Sequence, residues 1–255
     1  MKAFAGDALV LRTYRYGEAD RIVVFLTEDR GKKRGVAKHA TKSRRRFGGA
    51  LEPFTRGRVA YVEREGRDLV RLDRIELSQT PMRAAEGRSG PDAAHVLGHA
   101  GYFAELLDEW APDNAANERL FRLGASVGEA LCRGGSVEAL ARYFEYWLLR
   151  LEGLYPALDI CPRCQRATLR AGAVLVAAEA SFLCGGCAQV GLHLSPDAMA
   201  FLHSVGGRTP AEVTETGAPQ AALREIEKAH QRLISMHLDK QLRSARVVKE
   251  LRPEP

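Results

Sequence analysis

The spacing of hydrophobic residues changes near residue 80, and this change divides the chain into two parts. Before it, runs rich in Val, Ile, Leu, Phe and Thr, such as ALVLRTY (8–14) and RIVVFLT (21–27), are separated by turn-forming residues, as antiparallel strands are. After it, apolar residues recur at steps of three and four, which is the period of a core-facing helix. The sequence therefore predicts a multi-domain α+β protein with a β-rich part followed by a helical part.

Four or five short strands are predicted in the first part. EDRGK (28–32) places Gly31 where a hairpin needs a positive φ. RGRVAYVEREGRDLVRLDRIELS (56–78) adds two strands around a turn at Glu65-Gly66. Such a set, without a convincing helix, fits a small barrel domain over residues 1–80. The pattern alone allows an SH3-like barrel equally well.

Residues 81–255 are predicted to form a helical bundle domain. The clearest stripe is SVEALARYFEYWLLRLEGLYP, with Ser136 as its N-cap. Weaker stripes cover 92–110 and 114–132, and a last helix is predicted over roughly 219–243.

Two cysteine pairs, CPRC (161–164) and CGGC (184–187), interrupt the helical part. Each pair places two thiols on one tight turn, and two such turns form the tetrahedral thiolate cage that Zn²⁺ prefers. The sequence predicts one structural zinc ion held by Cys161, Cys164, Cys184 and Cys187, with a β-hairpin between the pairs, in a zinc-ribbon insertion at about 158–192. The alternative is that these cysteines are simply buried or form disulfides, and a reducing compartment disfavours disulfides. Four thiolates leave no position for water, so catalysis at the metal is not expected.

Other candidate sites have simpler interpretations. Cys132 lies in a helical stripe and is predicted to be a buried apolar residue. His95 and His99 are four residues apart on a predicted helix, where helix packing or surface exposure explains them without a metal. The sequence has no GxGxxG, GxSxG or phosphate-loop ending, so no enzyme is predicted. It also has neither a long apolar run nor a good signal peptide, which predicts a cytoplasmic location.

The most unusual stretch is RGKKRGVAKHATKSRRRF (30–47), in which nine of eighteen residues are Lys or Arg and none is acidic. Residues 1–80 carry a net charge of +8 and the remainder −2. This asymmetry indicates a polyanionic partner for the first part, with nucleic acid the first candidate and an anionic membrane surface the second. A solvated loop that keeps the protein soluble is the alternative interpretation.

The first half of this stretch is predicted to be a strand, and TKSRRRFGG (41–49) a mobile loop beside it. The two together would form a basic face that binds phosphates with little base preference. The candidate DNA-binding residues are Lys32, Lys33, Arg34, Lys38, Lys42, Arg44, Arg45 and Arg46. Five aromatic residues nearby could stack on bases, although more than half are expected to fill the barrel: Tyr14, Tyr16, Phe47, Phe54 and Tyr61.

Three segments together resemble the RecO family of bacterial DNA repair proteins. They are ALVLRTYRYGEADRIVVFLTEDRGKKRGVAKHATKSRRRFGGALEPFTRGRVAY, YFEYWLLRLEGLYPALDICPRC and HLDKQLRSARVVKEL. The resemblance implies an oligonucleotide/oligosaccharide-binding (OB) barrel at the N-terminus and a helical domain that carries the cysteines.

It also implies a non-enzymatic, nucleoid-associated function. Similar proteins bind single- and double-stranded DNA, anneal complementary strands, and work with RecR to load RecA onto strands coated with single-strand-binding protein, whose acidic C-terminal tail they contact. Two alternatives from other classes are a zinc-ribbon module that binds RNA or protein, and a nuclease, against which the lack of an acidic metal cluster argues.

Overall fold

The computed structural model describes residues 1–166, 168–238 and 241–252, and the chain forms two compact units. The first contains Met1–Gly134 and Leu242–Pro255, and the second contains Gly135–Gln241. No helix in the described part of the chain is both long and apolar enough to cross a membrane.

Five strands of the first unit close into a barrel. They are β1 (Lys2–Tyr16), β2 (Asp20–Thr27), β3 (Gly31–Ala37), β4 (Arg56–Glu63) and β5 (Val70–Gln79). Their order is β1-β2-β3-β5-β4, with β1 pairing back to β4 and with β3 parallel to β5. Five strands closed in this order form an OB fold, so the expected fold class is confirmed. The strands end at Gln79, and the division of the chain into domains at residue 80 stays a prediction.

All α-helices come after the five barrel strands in the chain, except for one short helix between β3 and β4. In chain order they are α1 (Arg44–Phe47), α2 (Pro81–Ala85), α3 (Gly90–Trp110), α4 (Glu118–Cys132), α5 (Val137–Leu151), α6 (Pro196–Val205), α7 (Pro210–Thr216), α8 (Gln220–His237) and α9 (Arg243–Glu250).

The barrel core is filled by alternate residues of the strands. On β4, Val59 and Tyr61 are buried whereas Arg58 is exposed, which is the period of two that a strand with one buried face requires. Phe47 of α1 packs into the same core. The sequence predicts a mobile loop over 41–49, and the structure differs: the segment contains a helical turn that Phe47 anchors in the barrel.

Helices α3 and α4 pack on the barrel within the first unit. The ring of Phe54 lies 5.3 Å from that of Phe103 on α3. On α4, a Cβ added at Gly124 would lie 2.7 Å from Cδ1 of Leu9, so glycine permits the close approach of this helix. The helices predicted over 92–110 and 114–132 are confirmed, although α4 begins only at Glu118, after its N-cap Asn117.

Gly31 begins β3 at a point where another segment of the first unit approaches. The backbone of Lys32 donates to the carbonyl of Pro112 over 3.2 Å and accepts from the amide of Asn114 over 3.0 Å. Gly31 has a φ of +69°, and a Cβ there would lie 2.0 Å from the backbone oxygen of Ala115. Glycine is therefore needed for both its conformation and its size.

We expect Gly31→Ala to lower the free energy of unfolding by about 2–4 kcal/mol, the sum of left-handed strain and a backbone clash. Gly66→Ala is the matched control, because Gly66 also has a positive φ of +73° but no atom near its added Cβ. That variant should lose only about 1 kcal/mol. Urea denaturation measures both, and equal losses would contradict a role for the Ala115 contact.

The second unit contains α5 to α8 and a three-stranded sheet. The strands β6 (Ala173–Val176), β7 (Ser181–Leu183) and β8 (Leu192–Leu194) are arranged in the order β7-β6-β8. The first two form the hairpin predicted between the cysteine pairs. Ser136 caps α5 as predicted, since its hydroxyl accepts from the amide of Ala139 over 3.4 Å.

A buried polar network holds the chain that leads to the first cysteine pair. Arg142 donates to Glu145 over 2.9 Å, and the other oxygen of Glu145 lies 2.9 Å from Nδ1 of His230. Nε2 of His230 lies 2.8 Å from the hydroxyl of Tyr155. Burial lowers the pKa of His230, so the neutral ring donates to Glu145 and accepts from Tyr155. This arrangement gives Glu145, His230 and Tyr155 hydrogen-bond partners and fixes Tyr155 beside Phe182 of β7, with ring centroids 6.1 Å apart.

The last predicted helix is shorter than expected. The sequence predicts one helix over roughly 219–243, whereas α8 ends at His237 because Leu238 adopts an extended conformation. A separate helix, α9, begins at Arg243. Part of the predicted helix, 239–240, lies outside the described residues.

Candidate nucleic-acid interface and metal centre

The basic stretch 30–47 spans β3, a turn and α1, and the barrel divides its cations into two groups. One group lies on β3 and is paired with carboxylates of the first unit. The other lies on the turn and on α1 and is exposed.

Lys32 and Lys33 belong to the paired group, and both are buried. The ammonium of Lys32 donates to the backbone oxygen of Asp108, and it lies 3.5 Å from the carboxylates of Asp108 and Asp113. The ammonium of Lys33 lies 2.7 Å from Glu63. Because each charge is already compensated and shielded from solvent, these two lysines offer little to an external polyanion.

Arg34 and Arg46 are intermediate cases. Arg34 is exposed, but its guanidinium lies 3.5 Å from Asp113. Arg46 donates to the hydroxyl of Ser43 over 3.0 Å and to the backbone oxygen of Lys38, and its guanidinium lies 5.0 Å from the centre of the Phe47 ring. Arg46 therefore stabilises the turn more than it extends into solvent.

The remaining predicted cations are exposed and, among the described residues, form no ion pair: Lys38, Lys42, Arg44 and Arg45. We call these four residues the loop cations. Their turn is fixed to the β1–β2 hairpin, because the amide of His39 donates to Asp20 over 2.7 Å and the amide of Thr41 donates to the backbone oxygen of Ala19 over 3.2 Å. The loop cations thus lie on an ordered support and do not belong to a free arm.

A groove of about 710 Å³ lies between the β1–β2 and β4–β5 hairpins, and of the loop cations only Lys38 lines it. It is lined by Tyr16, Asp20, Val36, Lys38, Arg64, Arg67, Asp68, Leu69, Val70 and Arg71. Four cations and two carboxylates line it, which makes it electropositive. Arg71 is held by Asp73, with N–O distances of 2.8 and 3.2 Å.

Three cations of this groove are missing from the sequence prediction: Arg64, Arg67 and Arg71. The sequence prediction was confined to the stretch 30–47, where basic residues are most frequent. The segment EREGRDLVR (63–71) does indicate these cations, because it forms a hairpin turn with three arginines. This turn lies at the end of the barrel where β3 finishes. We call the groove and its cations the loop groove.

Of the five aromatic residues, Phe47 and Tyr61 fill the barrel core, which is fewer than the majority expected, because Phe54 packs against Phe103 of α3 instead. Phe47, Phe54 and Tyr61 are buried, whereas Tyr14 and Tyr16 remain 45% and 49% exposed. Tyr16 lines the loop groove, so one aromatic face there is free to stack on a base.

The second candidate site is the cysteine cluster of the second unit. The sulfur atoms of Cys161, Cys164, Cys184 and Cys187 all lie within 4.8 Å of one another, and those of Cys164 and Cys184 are 3.9 Å apart. A tetrahedral zinc with four bonds of about 2.3 Å requires sulfur atoms about 3.8 Å apart. The cluster therefore has the ligands and the size for one such ion, and its sulfur separation is too large for a disulfide.

The acidities of these thiols also fit a cation site. Burial raises the pKa of Cys161, but hydrogen bonds from the backbone of Cys184, Cys164 and Arg163 outweigh it and lower the value to about 6. The pKa of Cys187 is raised to about 12, first through its contact with the thiol of Cys184. Four adjacent sulfurs cannot all ionise without a compensating positive charge, which a metal ion supplies.

Arg163 joins the two cysteine pairs. Its guanidinium donates to the backbone oxygen of Cys187 and pairs with Glu179, which lies between β6 and β7. A side chain from the first pair thus fixes the second pair and the hairpin.

The other candidate residues lie outside both sites. His95 and His99 are buried on α3 with ring centroids 4.4 Å apart, as the helix-packing interpretation requires. Cys132 is only half-buried, contrary to prediction, and its thiol is not apolar in its contacts: it donates to the backbone oxygen of Thr80 over 3.4 Å and accepts from Nε2 of Gln79 over 3.3 Å. Among the residues that the structure describes, the four cysteines are the one group of three or more His, Cys, Asp or Glu side chains placed to hold a metal ion.

Comparison with known proteins gives consistent matches over both units. The family model "Recombination protein O N terminal" matches residues 1–81, and "Recombination protein O C terminal" matches residues 93–246. A curated protein of Geobacter sulfurreducens is 38% identical over 97% of this chain and 98% of its own length. A curated protein of Anaeromyxobacter sp. strain K is 38% identical over 96% of this chain and 95% of its own length. A third, from Geobacter metallireducens, is 35% identical over the full length of both chains. All three are named DNA repair protein RecO.

Proposed function

The chain belongs to the RecO family of DNA repair proteins, and we propose on that premise that it is a non-enzymatic recombination mediator. It binds single- and double-stranded DNA and anneals complementary strands. With RecR it helps to load RecA onto strands coated with single-strand-binding protein, whose acidic C-terminal tail it contacts. It does so in the cytoplasm, at the nucleoid.

The observation that carries this proposal is the set of exposed cations around the loop groove. The loop cations and two arginines of the β4–β5 turn, Arg64 and Arg67, are exposed and form no ion pair among the described residues. Cations of this kind displace counterions from phosphates whatever the base sequence. Tyr16 adds a stacking surface that every base can use.

Annealing follows from the same chemistry. Two single strands repel each other, and a cationic surface lowers that repulsion and raises the local concentration of both. Contacts to phosphate leave the hydrogen-bonding edges of the bases free, so the strands can still search for their register.

The buried lysines have another role in this proposal. Lys32 and Lys33 hold β3 to Asp108, Asp113 and Glu63, and the exposed cations bind DNA. Of the eight residues predicted from sequence, the loop cations carry most of the DNA contact, with Arg34 and Arg46 at its edge.

The cysteine cluster has a structural role. We propose that it holds one Zn²⁺ ion through Cys161, Cys164, Cys184 and Cys187, supported by the sulfur separation of 3.9 Å. Such an ion stabilises the second unit and, with a complete thiolate shell, activates no water.

The salt dependence of oligonucleotide binding tests the proposal. With six exposed cations in contact, the logarithm of the affinity should fall with the logarithm of salt concentration at a slope of about −4 for single strands. Fluorescence anisotropy with labelled DNA measures this slope, and fluorescence quenching measures annealing in the same series. Affinity that does not change with salt would contradict a phosphate-binding surface.

The same titration with RNA distinguishes the main alternative, a zinc-ribbon module whose basic surface serves RNA. Matched DNA and RNA strands should bind within about threefold of each other if phosphate contacts dominate. A strong preference for RNA would favour the alternative. Incubation with Mg²⁺ or Mn²⁺ should leave both strands uncut.

A further inference from the structure

Helix α9 forms a second cationic surface on the first unit. Arg243, Arg246 and Lys249 are exposed on it at steps of three residues, which is about 4.5 Å along a helix axis. Residues 241–252 contain four basic residues and one acidic residue. That residue, Glu250, lies 3.5 Å from Arg246, and the strip stays positively charged.

This helix is held firmly in place. Glu105 of α3 accepts from the amide of Arg243 over 3.2 Å and from the amide of Ser244 over 2.8 Å, so its carboxylate caps the first turn of α9. Val248 is buried and packs beside Gly98 of α3. The cations are therefore presented on a fixed element.

A stretch of paired charges separates this surface from the loop groove. Along α3, Asp108 follows Glu105 by about one turn, and Asp108 pairs with Lys32 at the start of β3. Lys38 lies beyond the other end of β3, about 20 Å further along the strand. The path from α9 to the loop groove thus passes Asp108, paired with Arg12 and Lys32, and Asp113, paired with Lys32 and Arg34, and these compensated charges offer phosphate little attraction.

We propose that α9 binds a second nucleic-acid strand while the loop groove holds the first. This inference rests on the proposed function and assigns one strand to each of the two surfaces. One continuous strand would have to bridge this compensated stretch, whereas two strands, one on each cationic surface, need not. Both surfaces belong to one compact unit, so the two strands are held close together.

The test is Arg243→Glu/Arg246→Glu/Lys249→Glu in the full chain. Binding of a single DNA strand of about 12 nucleotides, the length that one barrel accommodates, should stay within about twofold of the unaltered protein. The rate of annealing should fall at least about tenfold, because the second strand loses three cations and meets three carboxylates. Energy transfer between two labelled, non-complementary strands bound to one protein molecule should disappear.

A matched control reverses three exposed arginines elsewhere on the first unit, Arg83, Arg119 and Arg122. It changes the net charge equally and should leave annealing within about twofold. Circular dichroism and the thermal midpoint show whether each variant folds, and Arg243→Gln/Lys249→Gln provides a milder pair that should reduce annealing in part.

The outcomes separate the possibilities. The proposal is overturned if the α9 variant anneals as fast as the unaltered protein. If that variant also no longer binds an acidic protein, α9 serves a protein partner instead. Equal losses of single-strand binding and annealing also overturn it, because α9 would then extend the first site. If the unaltered protein binds no single strand, the proposed function fails instead.

Discussion

Reversing the loop cations, Lys38→Glu, Lys42→Glu, Arg44→Glu and Arg45→Glu together, will weaken single-strand binding by about 100-fold or more at low salt. The variant loses four phosphate contacts and places four carboxylates beside the loop groove. The slope of affinity against salt should fall by about 3 on a double logarithmic scale. Anisotropy with labelled oligonucleotides measures both. The fold should survive, because all four side chains are exposed.

Two controls separate a local site from net charge. Reversing Arg83, Arg119, Arg122 and Arg232, which are also exposed, alters the formal charge by the same amount and should weaken binding by less than about threefold. Lys33→Met removes a cation that Glu63 already neutralises, so it should change stability more than affinity. If both charge-reversal variants lose affinity equally, no local binding site exists.

Removing the metal should have the second large effect. Cys161→Ser/Cys187→Ser should reduce bound zinc from about one ion per chain to near zero and destabilise the second unit by several kcal/mol, because metal binding and folding are coupled. Plasma mass spectrometry measures the metal, and thermal unfolding measures the stability. Binding of a single strand, which depends on the other unit, should change by less than about threefold.

The fifth cysteine provides the matched control for this experiment. Cys132 lies outside the cluster, so Cys132→Ser should keep the zinc and alter only the weak hydrogen bonds of this thiol with Thr80 and Gln79. Zinc retained by the double variant, or absent from the unaltered protein, would contradict a four-thiolate site. A chelator should lower the thermal midpoint of the Cys132→Ser protein but not that of the double variant.

The sequence was sufficient to predict elements that a short run of neighbouring residues determines. Richness in β-branched and aromatic residues identified β2, alternation identified β4, and the spacing of the cysteines identified a cluster that does bring four sulfurs together. The early part of β1, from Lys2 to Asp7, was harder because it is mostly polar or small. It becomes a strand through pairing with β4, in register from Lys2 opposite Glu63.

The candidate DNA contacts were harder still, because charge compensation is a long-range property. Nothing near Lys32 in sequence shows that Asp108 and Asp113 will neutralise it. Likewise, Arg64 and Arg67 join the loop groove only through barrel closure. The end of α8 was missed because no Gly or Pro marks it; the break occurs at Leu238.

The contact between β3 and residues 112–115 has a consequence for synthesis of the protein. When a ribosome has released the first 80 residues, every strand of the barrel exists, but the backbone of Lys32 still lacks Pro112 and Asn114. Its ammonium also lacks the two aspartates that later surround it. The nascent barrel therefore matures only after α3 has emerged, and a chain truncated before that point would expose an unfinished edge to proteases and to other chains.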